Sequence, residues 1–425
     1  MTHRKPGVSR RAFIGTGLAT GLWLHAPVVL GQGKPRVVVI GGGAGGATAA
    51  RYLAKDSAGA VDVTLVEMNP IYTTCFFSNL YLGGFRDFES LQHGYSKLSD
   101  MGITVITDVA TGVDRAARTV TLASGQSLTY DRLILSPGID FKDGSVPGWS
   151  TADQEIMPHA YKAGPQTQLL KAQIEAIPEG GVFAMIAPPN PYRCPPGPYE
   201  RISMVAHALK QKNPTAKILL VDPKEKFSKQ ALFEEGWQTH YSGMVERVGP
   251  DFGGANAEVR PGSMEIVIDG EVTKVDCCNV IPGQMAGKIA ALAGVTDDSG
   301  WAPVHPDSMK SKIDENVWVL GDSSAQGDMP KSGFSANSQA KVAAMSIRGE
   351  LTGSKVFPAK YSNTCWSLLA PDDGVKVGAS YEPTAEKIAS VESFVSATGE
   401  DAGLRKATYE ESLGWYAGIT TDIFG

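Results

Sequence analysis

The run Gly41-Gly42-Gly43-Ala44-Gly45-Gly46 constrains this chain more than any other feature. Residues 34–40 precede it, and their unbroken β-branched run reads as a strand buried on both faces. Residues 47–55 follow and read as a helix; residues 61–66 then read as a second strand ending at Glu67. A G-x-G-x-x-G placed between strand and helix has a physical cause. Gly41 permits the tight turn, Gly43 lets a pyrophosphate approach the backbone, and Gly46 lets helix and strand pack closely. Ala44 lies inside the same turn, where the start of the helix offers free N–H groups and a positive dipole end. The Glu67 carboxylate can accept hydrogen bonds from ribose hydroxyls. The pattern predicts a dinucleotide on a βαβ unit.

A second βαβ unit follows the pattern of the first but not its turn. Residues 181–187 read as a buried strand, 201–210 as a helix, and 217–221 as a strand ending at Asp222. The linking turn is Pro188-Pro189-Asn190-Pro191-Tyr192-Arg193-Cys194-Pro195-Pro196-Gly197-Pro198. Prolines fix φ and remove backbone donors, so this turn cannot cradle a pyrophosphate as glycines do. The expectation is a nucleotide fold whose nicotinamide site has gone. An NAD(P)H:acceptor reductase is the weaker reading.

Composition excludes several function classes. Of 425 residues, 42% are hydrophobic and 20% charged, so a disordered chain is ruled out. The net charge of −6 gives no argument for nucleic acid. The five cysteines form no CxxC pair, which excludes a zinc ribbon, a thioredoxin motif and an attached c-type haem within this chain. The histidines show no HxxxH or HExxH spacing, so no metal site is expected. No G-x-S-x-G suggests a hydrolase. Ser9-Arg10-Arg11-Ala12-Phe13-Ile14 resembles a twin-arginine export motif, which implies a folded protein carried to the periplasm with its cofactor. No later segment is long and apolar enough to span a membrane.

Two further segments bear on the cofactor. Tyr130-Asp131-Arg132-Leu133-Ile134-Leu135-Ser136-Pro137-Gly138 and Val317-Trp318-Val319-Leu320-Gly321-Asp322 are strands ending in small-residue turns. They resemble the later FAD-contact motifs of the glutathione-reductase-like flavoproteins, which have two dinucleotide-binding domains. The resemblance implies FAD held near Pro137 and Gly138, with Asp322 at the ribityl chain.

Cys194 stands in the stiff proline loop, at the C-terminal end of a strand, where α/β folds place ligands. Cys365 lies far along the chain. The two read either as a redox pair or as a structural disulfide of an exported protein. Cys277 and Cys278 are neighbours in a strand pattern, point to opposite faces, and read as small buried hydrophobes.

Four segments carry a closer resemblance: Tyr72-Thr73-Thr74-Cys75-Phe76-Phe77-Ser78-Asn79, Arg193-Cys194-Pro195-Pro196-Gly197-Pro198-Tyr199-Glu200, Lys331-Ser332-Gly333-Phe334, and Asn363-Thr364-Cys365-Trp366. The chain resembles the flavoprotein subunits of flavocytochrome c sulfide dehydrogenase, relatives of sulfide:quinone oxidoreductase. The resemblance implies a thioether from Cys75 to the flavin and a redox-active disulfide between Cys194 and Cys365. It makes Glu200 a candidate proton shuttle, against a helix-capping acid. It places Gly333 and Phe334 near the flavin, with Lys331 as a candidate to stabilise charge there, against a surface lysine. The implied reaction is oxidation of hydrogen sulfide to sulfur or polysulfide. Its electrons pass to a c-type cytochrome on a separate chain.

The expected fold class is α/β: two Rossmann-like domains and a C-terminal α+β interface domain. The expected layout is a signal peptide at 1–33, an FAD domain from 34–150 and 282–350, a second nucleotide-fold domain at 151–281, and the interface domain at 351–425. Two alternatives remain: a quinone-linked enzyme, and a flavoprotein whose cysteines are only structural. Residues 391–425 hold no basic amphipathic run of the kind a membrane-bound relative carries.

Overall fold

Strand Arg36–Ile40 is buried from Val37 onward and lies inside a five-stranded sheet. The sheet order is Val317–Val319, Arg132–Leu135, Arg36–Ile40, Asp62–Glu67, Thr104–Thr107, and every pairing is parallel. Helix Gly46–Asp56 packs on this sheet. Gly46 shows why glycine ends the fingerprint: a Cβ there would stand 1.8 Å from the carbonyl oxygen of Gly41. The computed structural model describes residues 33–425, so the twin-arginine motif lies outside the described residues.

A second parallel sheet runs Val245–Val248, Lys217–Val221, Val182–Ile186, Cys277–Val280. Its central strands are apolar because both faces are covered. Cys277 packs into the main core while Cys278 packs into a separate cluster with Trp149 and Val280, so the two thiols face opposite sides of the sheet. Sequence pattern places the following helix at 201–210. It begins instead at Gly197, directly after the proline turn, and runs to Lys212. Prolines are tolerated in a first turn, where the missing N–H has no helical partner. This earlier start puts Glu200 in the first turn.

The C-terminal part is an antiparallel sheet of Tyr361–Ala370, Asp373–Pro383 and Ile388–Val395, followed by helix Ala402–Phe424. That helix is fastened near its start by Arg405, a buried guanidinium paired with Glu235, Asp373 and Glu400. Pro35–Gly425 forms one compact unit.

Candidate active site

A cleft of about 650 Å³ lies at the C-terminal ends of the first sheet. Gly41, Gly43 and Ala44 line it at the fingerprint, and Glu67 lines it at the end of the next strand. Helix Gly46–Asp56 meets the cleft with no side chain capping its N-terminus; Ala47 N–H donates to the Gly43 carbonyl at 3.0 Å, and the positive dipole end faces the cleft for an anion. The Glu67 carboxylate accepts from the backbone N–H of Gly42 at 2.6 Å and of Asn69 at 3.1 Å. A carboxylate has about four lone-pair sites, so acceptor capacity remains for ribose hydroxyls.

Pro137, Gly138, Asp322 and Gly333 line the same cleft farther along. Asp322 is paired through Oδ2 with Nε of Arg193 at 2.6 Å. Its Oδ1 is buried without a partner. An orphaned carboxylate oxygen beside a cleft is the acceptor that a polyol chain requires. The uncapped helix, the spare capacity of Glu67 and the orphan oxygen of Asp322 together fit a dinucleotide such as FAD.

The acid at the second sheet's strand end has no such spare capacity. Asp222, the acid at its strand end, is fully buried. It is paired with Lys224 at 2.8 Å and Arg247 at 3.2 Å and accepts from Tyr199 at 3.0 Å. Tyr199 in turn stacks on Phe227. Both oxygens of Asp222 are thus already taken by protein side chains, unlike those of Glu67.

The dinucleotide cleft adjoins a smaller cavity of about 80 Å³, room for a few water-sized molecules. Cys75, Phe76, Arg193, Ser332 and Gly333 border both spaces. The smaller cavity is lined by three of the five cysteines: Cys75, Cys194 and Cys365. All three carry free thiols. Topology brings them together from a loop beyond the first βαβ unit, the turn of the second, and the strand Tyr361–Ala370.

Cys194 holds a left-handed backbone conformation, φ +53°, which is rare outside glycine. Several hydrogen bonds impose it. Its N–H donates to the Lys331 carbonyl at 2.6 Å, and its carbonyl accepts from Gly197 N–H at 2.7 Å and Tyr161 OH at 3.3 Å. Strain of this kind gathers where a side chain must be aimed. Burial pushes the Cys194 thiol well above its ordinary pKa, and neighbouring Cys365 and Glu200 add to the effect. Burial also raises Cys365, but Asn363 and Lys229 oppose it. Burial raises Cys75, with Arg193 opposing.

Glu200 ties the three cysteine-bearing segments to one another. Its Oε2 accepts from Asn79 Nδ2 at 2.8 Å, four residues past Cys75, and its Oε1 accepts from the N–H of Leu368 at 3.0 Å, three residues past Cys365. It lines the cavity, and burial raises its pKa against the pull of those two bonds. A carboxyl group poised to hold or release a proton is what that environment produces. Phe76, Phe334, Trp366 and Trp415 wall the cavity, with Trp415 5.0 Å from Trp366 between ring centroids.

The resemblance makes Lys331 a candidate to stabilise charge near the flavin, against a surface lysine, and the structure puts its ammonium elsewhere. The Lys331 ammonium donates to the carbonyls of Asp322 at 2.9 Å and Ser324 at 2.8 Å and sits over Trp301, 3.6 Å from the ring centroid. It borders neither cavity and it is not a surface lysine: it is buried, its donors are used by backbone, and its role is to hold the Asp322 turn. Gly333 and Phe334, by contrast, do reach the cavity.

Three cationic residues at the site escape sequence reasoning. Arg193 borders both cavities, and Arg201 lines the smaller one. Arg201 is buried and donates to Asn79 Oδ1, Asn279 Oδ1 and the carbonyls of His159 and Ala160, with no carboxylate among these partners. Burial lowers its pKa to about 10. Lys229 is buried behind Cys365. Arginine and lysine in a sequence read as surface by default, and only their tertiary partners mark these three.

The fold and site define a flavoprotein of the pyridine nucleotide-disulphide oxidoreductase class, and comparison with known proteins bears this out. The family model "Pyridine nucleotide-disulphide oxidoreductase" matches residues 35–172. The models "Sulfide dehydrogenase [flavocytochrome c] flavoprotein chain, central" and "Flavocytochrome c sulphide dehydrogenase, flavin-binding" match residues 167–282 and 358–424. The chain is 53% identical over 47 residues to the "Sulfide dehydrogenase [flavocytochrome c] flavoprotein chain" of Chlorobaculum thiosulfatiphilum, covering 11% of this chain and 96% of that sequence. The mitochondrial sulfide:quinone oxidoreductase of Mus musculus is 24% identical over 332 residues, 73% of this chain and 70% of that protein. The crystal structure of sulfide:quinone oxidoreductase from Aquifex aeolicus superposes with a TM-score of 0.69 at 19% identity, covering 92% of each chain. The chain belongs to the family of flavocytochrome c sulfide dehydrogenase flavoprotein chains.

Proposed function

We propose that this protein oxidises hydrogen sulfide to sulfur or polysulfide, using FAD and a redox-active pair of Cys194 and Cys365, and passes the electrons to a c-type cytochrome on a separate chain. The observation that carries the reading is the meeting of the two cavities: the dinucleotide cleft and the three-cysteine cavity share Cys75, Arg193 and Gly333. The relatives whose names include sulfide give the reading its substrate.

The cavity's charge suits an anion. Arg201 and Lys229 are buried cations without carboxylate partners, and Glu200 is the one acid on the lining. HS⁻ fits that balance and the volume of about 80 Å³. It enters between Cys194 and Cys365 and attacks their disulfide, and one cysteine becomes a persulfide while the other is freed as a thiolate. Glu200 takes up or gives protons at its buried carboxyl. The aromatic wall keeps water from the sulfur.

Glu67, Gly138, Asp322 and the fingerprint turn would hold FAD, and Cys75 would tether it as a thioether. FAD, when bound, supplies a two-electron acceptor beside the cysteines. A tether keeps a cofactor from being lost in the periplasm, where the twin-arginine route would deliver the protein. The proposed division is an FAD domain from 34–150 and 282–350, a second nucleotide fold at 151–281 without a nicotinamide site, and an interface domain at 351–425. Among the described residues no helix is long and apolar enough to cross a membrane.

The acceptor is tested by supplying sulfide anaerobically with either a c-type cytochrome or a soluble short-chain quinone. Reduction of the cytochrome alone is expected. Reduction of the quinone alone would move the protein to the quinone-linked reading, and bleaching of the flavin by NADH would restore the nicotinamide reading.

A further inference from the structure

Lys229 is a buried ammonium, 8% exposed, placed at the entrance of helix Gln230–His240 with a left-handed φ of +61°. Its Nζ donates to the carbonyl of Cys365 at 3.0 Å and to Ser367 Oγ at 2.8 Å. Both partners are neutral, and among the described residues Lys229 forms no ion pair. Removing an ammonium from water without a counter-ion costs several kcal/mol. Burial lowers the Lys229 pKa to about 8, and an anion that faces it favours the charged form.

The titratable groups that face Lys229 are Cys365, Glu200 and Cys194. The two oxygens of Glu200 already have neutral donors in Asn79 and the Leu368 N–H. Cys194 Sγ has no hydrogen-bond donor among the described residues. Cys365 Sγ does: Asn363 Nδ2 lies 3.4 Å away, and Asn363 Oδ1 is itself fixed by Ser332 Oγ at 2.5 Å. One sulfur therefore has both a donor and the stronger pull of the cation, and the other has no donor and feels Lys229 less.

We propose that Lys229 is a positioning residue that makes Cys365, and not Cys194, the thiolate-bearing member of the pair. This gives the sulfur exchange a direction. HS⁻ attacks Sγ of Cys194, the Cys194–Cys365 S–S bond breaks, and the electron pair leaves on Sγ of Cys365. Cys194 keeps the incoming sulfur with its proton as a persulfide. One S–S bond forms as one breaks, and oxidation of the sulfide sulfur is balanced by reduction of the Cys365 sulfur. A thiol of lower pKa leaves faster. The direction of exchange rests on the sulfide reading above; the ionisation of the two thiols does not.

The test labels the reduced holoprotein with iodoacetamide across pH, without sulfide, and reads each cysteine peptide by mass spectrometry. The pH midpoint of labelling reports ionisation whatever the absolute rate. The midpoint for Cys365 should fall below that for Cys194 by about one unit or more, a tenfold difference in acidity. Lys229→Met should raise the Cys365 midpoint, and Lys229→Arg should keep it low. Equal midpoints, a lower one for Cys194, or an unmoved Cys365 in folded Lys229→Met would overturn the inference. Should Lys229→Met fail to fold, the wild-type comparison decides alone. Midpoints as expected in a protein whose flavin sulfide cannot reduce would sink the sulfide reading and leave the inference standing.

Discussion

Arg193 and Asp322 join the two halves of the site: Nε of the one lies 2.6 Å from Oδ2 of the other, with both side chains more than four-fifths buried. Arg193 precedes Cys194 in the proline turn of the second βαβ unit, while Asp322 lies in the turn that follows strand Val317–Val319 of the first sheet. Arg193 also donates to the Tyr161 carbonyl at 3.0 Å. The pair thus fixes the sulfur-bearing turn against the dinucleotide cleft.

Removing one partner leaves the other charge buried and alone, which typically costs about 3–5 kcal/mol. Arg193→Met should therefore lower the urea midpoint markedly and reduce the flavin carried per chain. Equilibrium unfolding and the ratio of flavin to protein absorbance check both effects. An unchanged midpoint would mean that the pair contributes little.

His159 makes a pH prediction. It is buried, and its Nδ1 accepts from the N–H of Tyr161 at 3.0 Å, so that nitrogen must be unprotonated. Burial first, then the charges of Lys162 and Arg201, lower its pKa to about 3. A histidine with a depressed folded pKa contributes stability that is present above its unfolded value near 6.5 and is lost as pH falls toward 3. Stability should drop by roughly 4 kcal/mol over that window from this group alone. His159→Gln should flatten the slope of urea midpoint against pH between about 6 and 4.

The fingerprint can be tested at Gly46. A methyl there would meet the Gly41 carbonyl oxygen, which is backbone and cannot move aside. Gly46→Ala should give protein depleted of flavin and destabilised by several kcal/mol, an overpacking cost at the upper end of about 1–3 kcal/mol. Gly43→Ala should be milder, because its added carbon would lie 3.2 Å from the Tyr72 ring, a side chain that can shift.

Cys75 lines both cavities, and the proposed thioether predicts how the flavin partitions. Acid precipitation should leave the flavin in the wild-type pellet and release it from Cys75→Ser. Free flavin from the wild type would contradict the tether.

The sequence showed the first βαβ unit almost completely, because strand periodicity, glycine spacing and the terminal acid Glu67 are local signals. It also showed the prolines at Cys194, and it separated Cys277 from Cys278 by the alternation of a strand. It misplaced the start of the second helix, since prolines end a helix in most positions and only the first turn accepts them. It left Lys331 open because a position two residues before Gly333 does not reveal which way a long side chain turns. Lys229 and Arg201 were illegible for a deeper reason. Their partners lie 136 and 122 residues away, at Cys365 and Asn79, and only the folded chain puts them together.

In the proposed reaction, sulfide delivers its electrons through the cysteines of the small cavity. Anaerobic addition of sulfide, followed by flavin absorbance, tests it most directly. Rapid bleaching is expected in the wild type and none in Cys194→Ser or Cys365→Ser proteins that keep their flavin. Bleaching at the wild-type rate in either variant would contradict it.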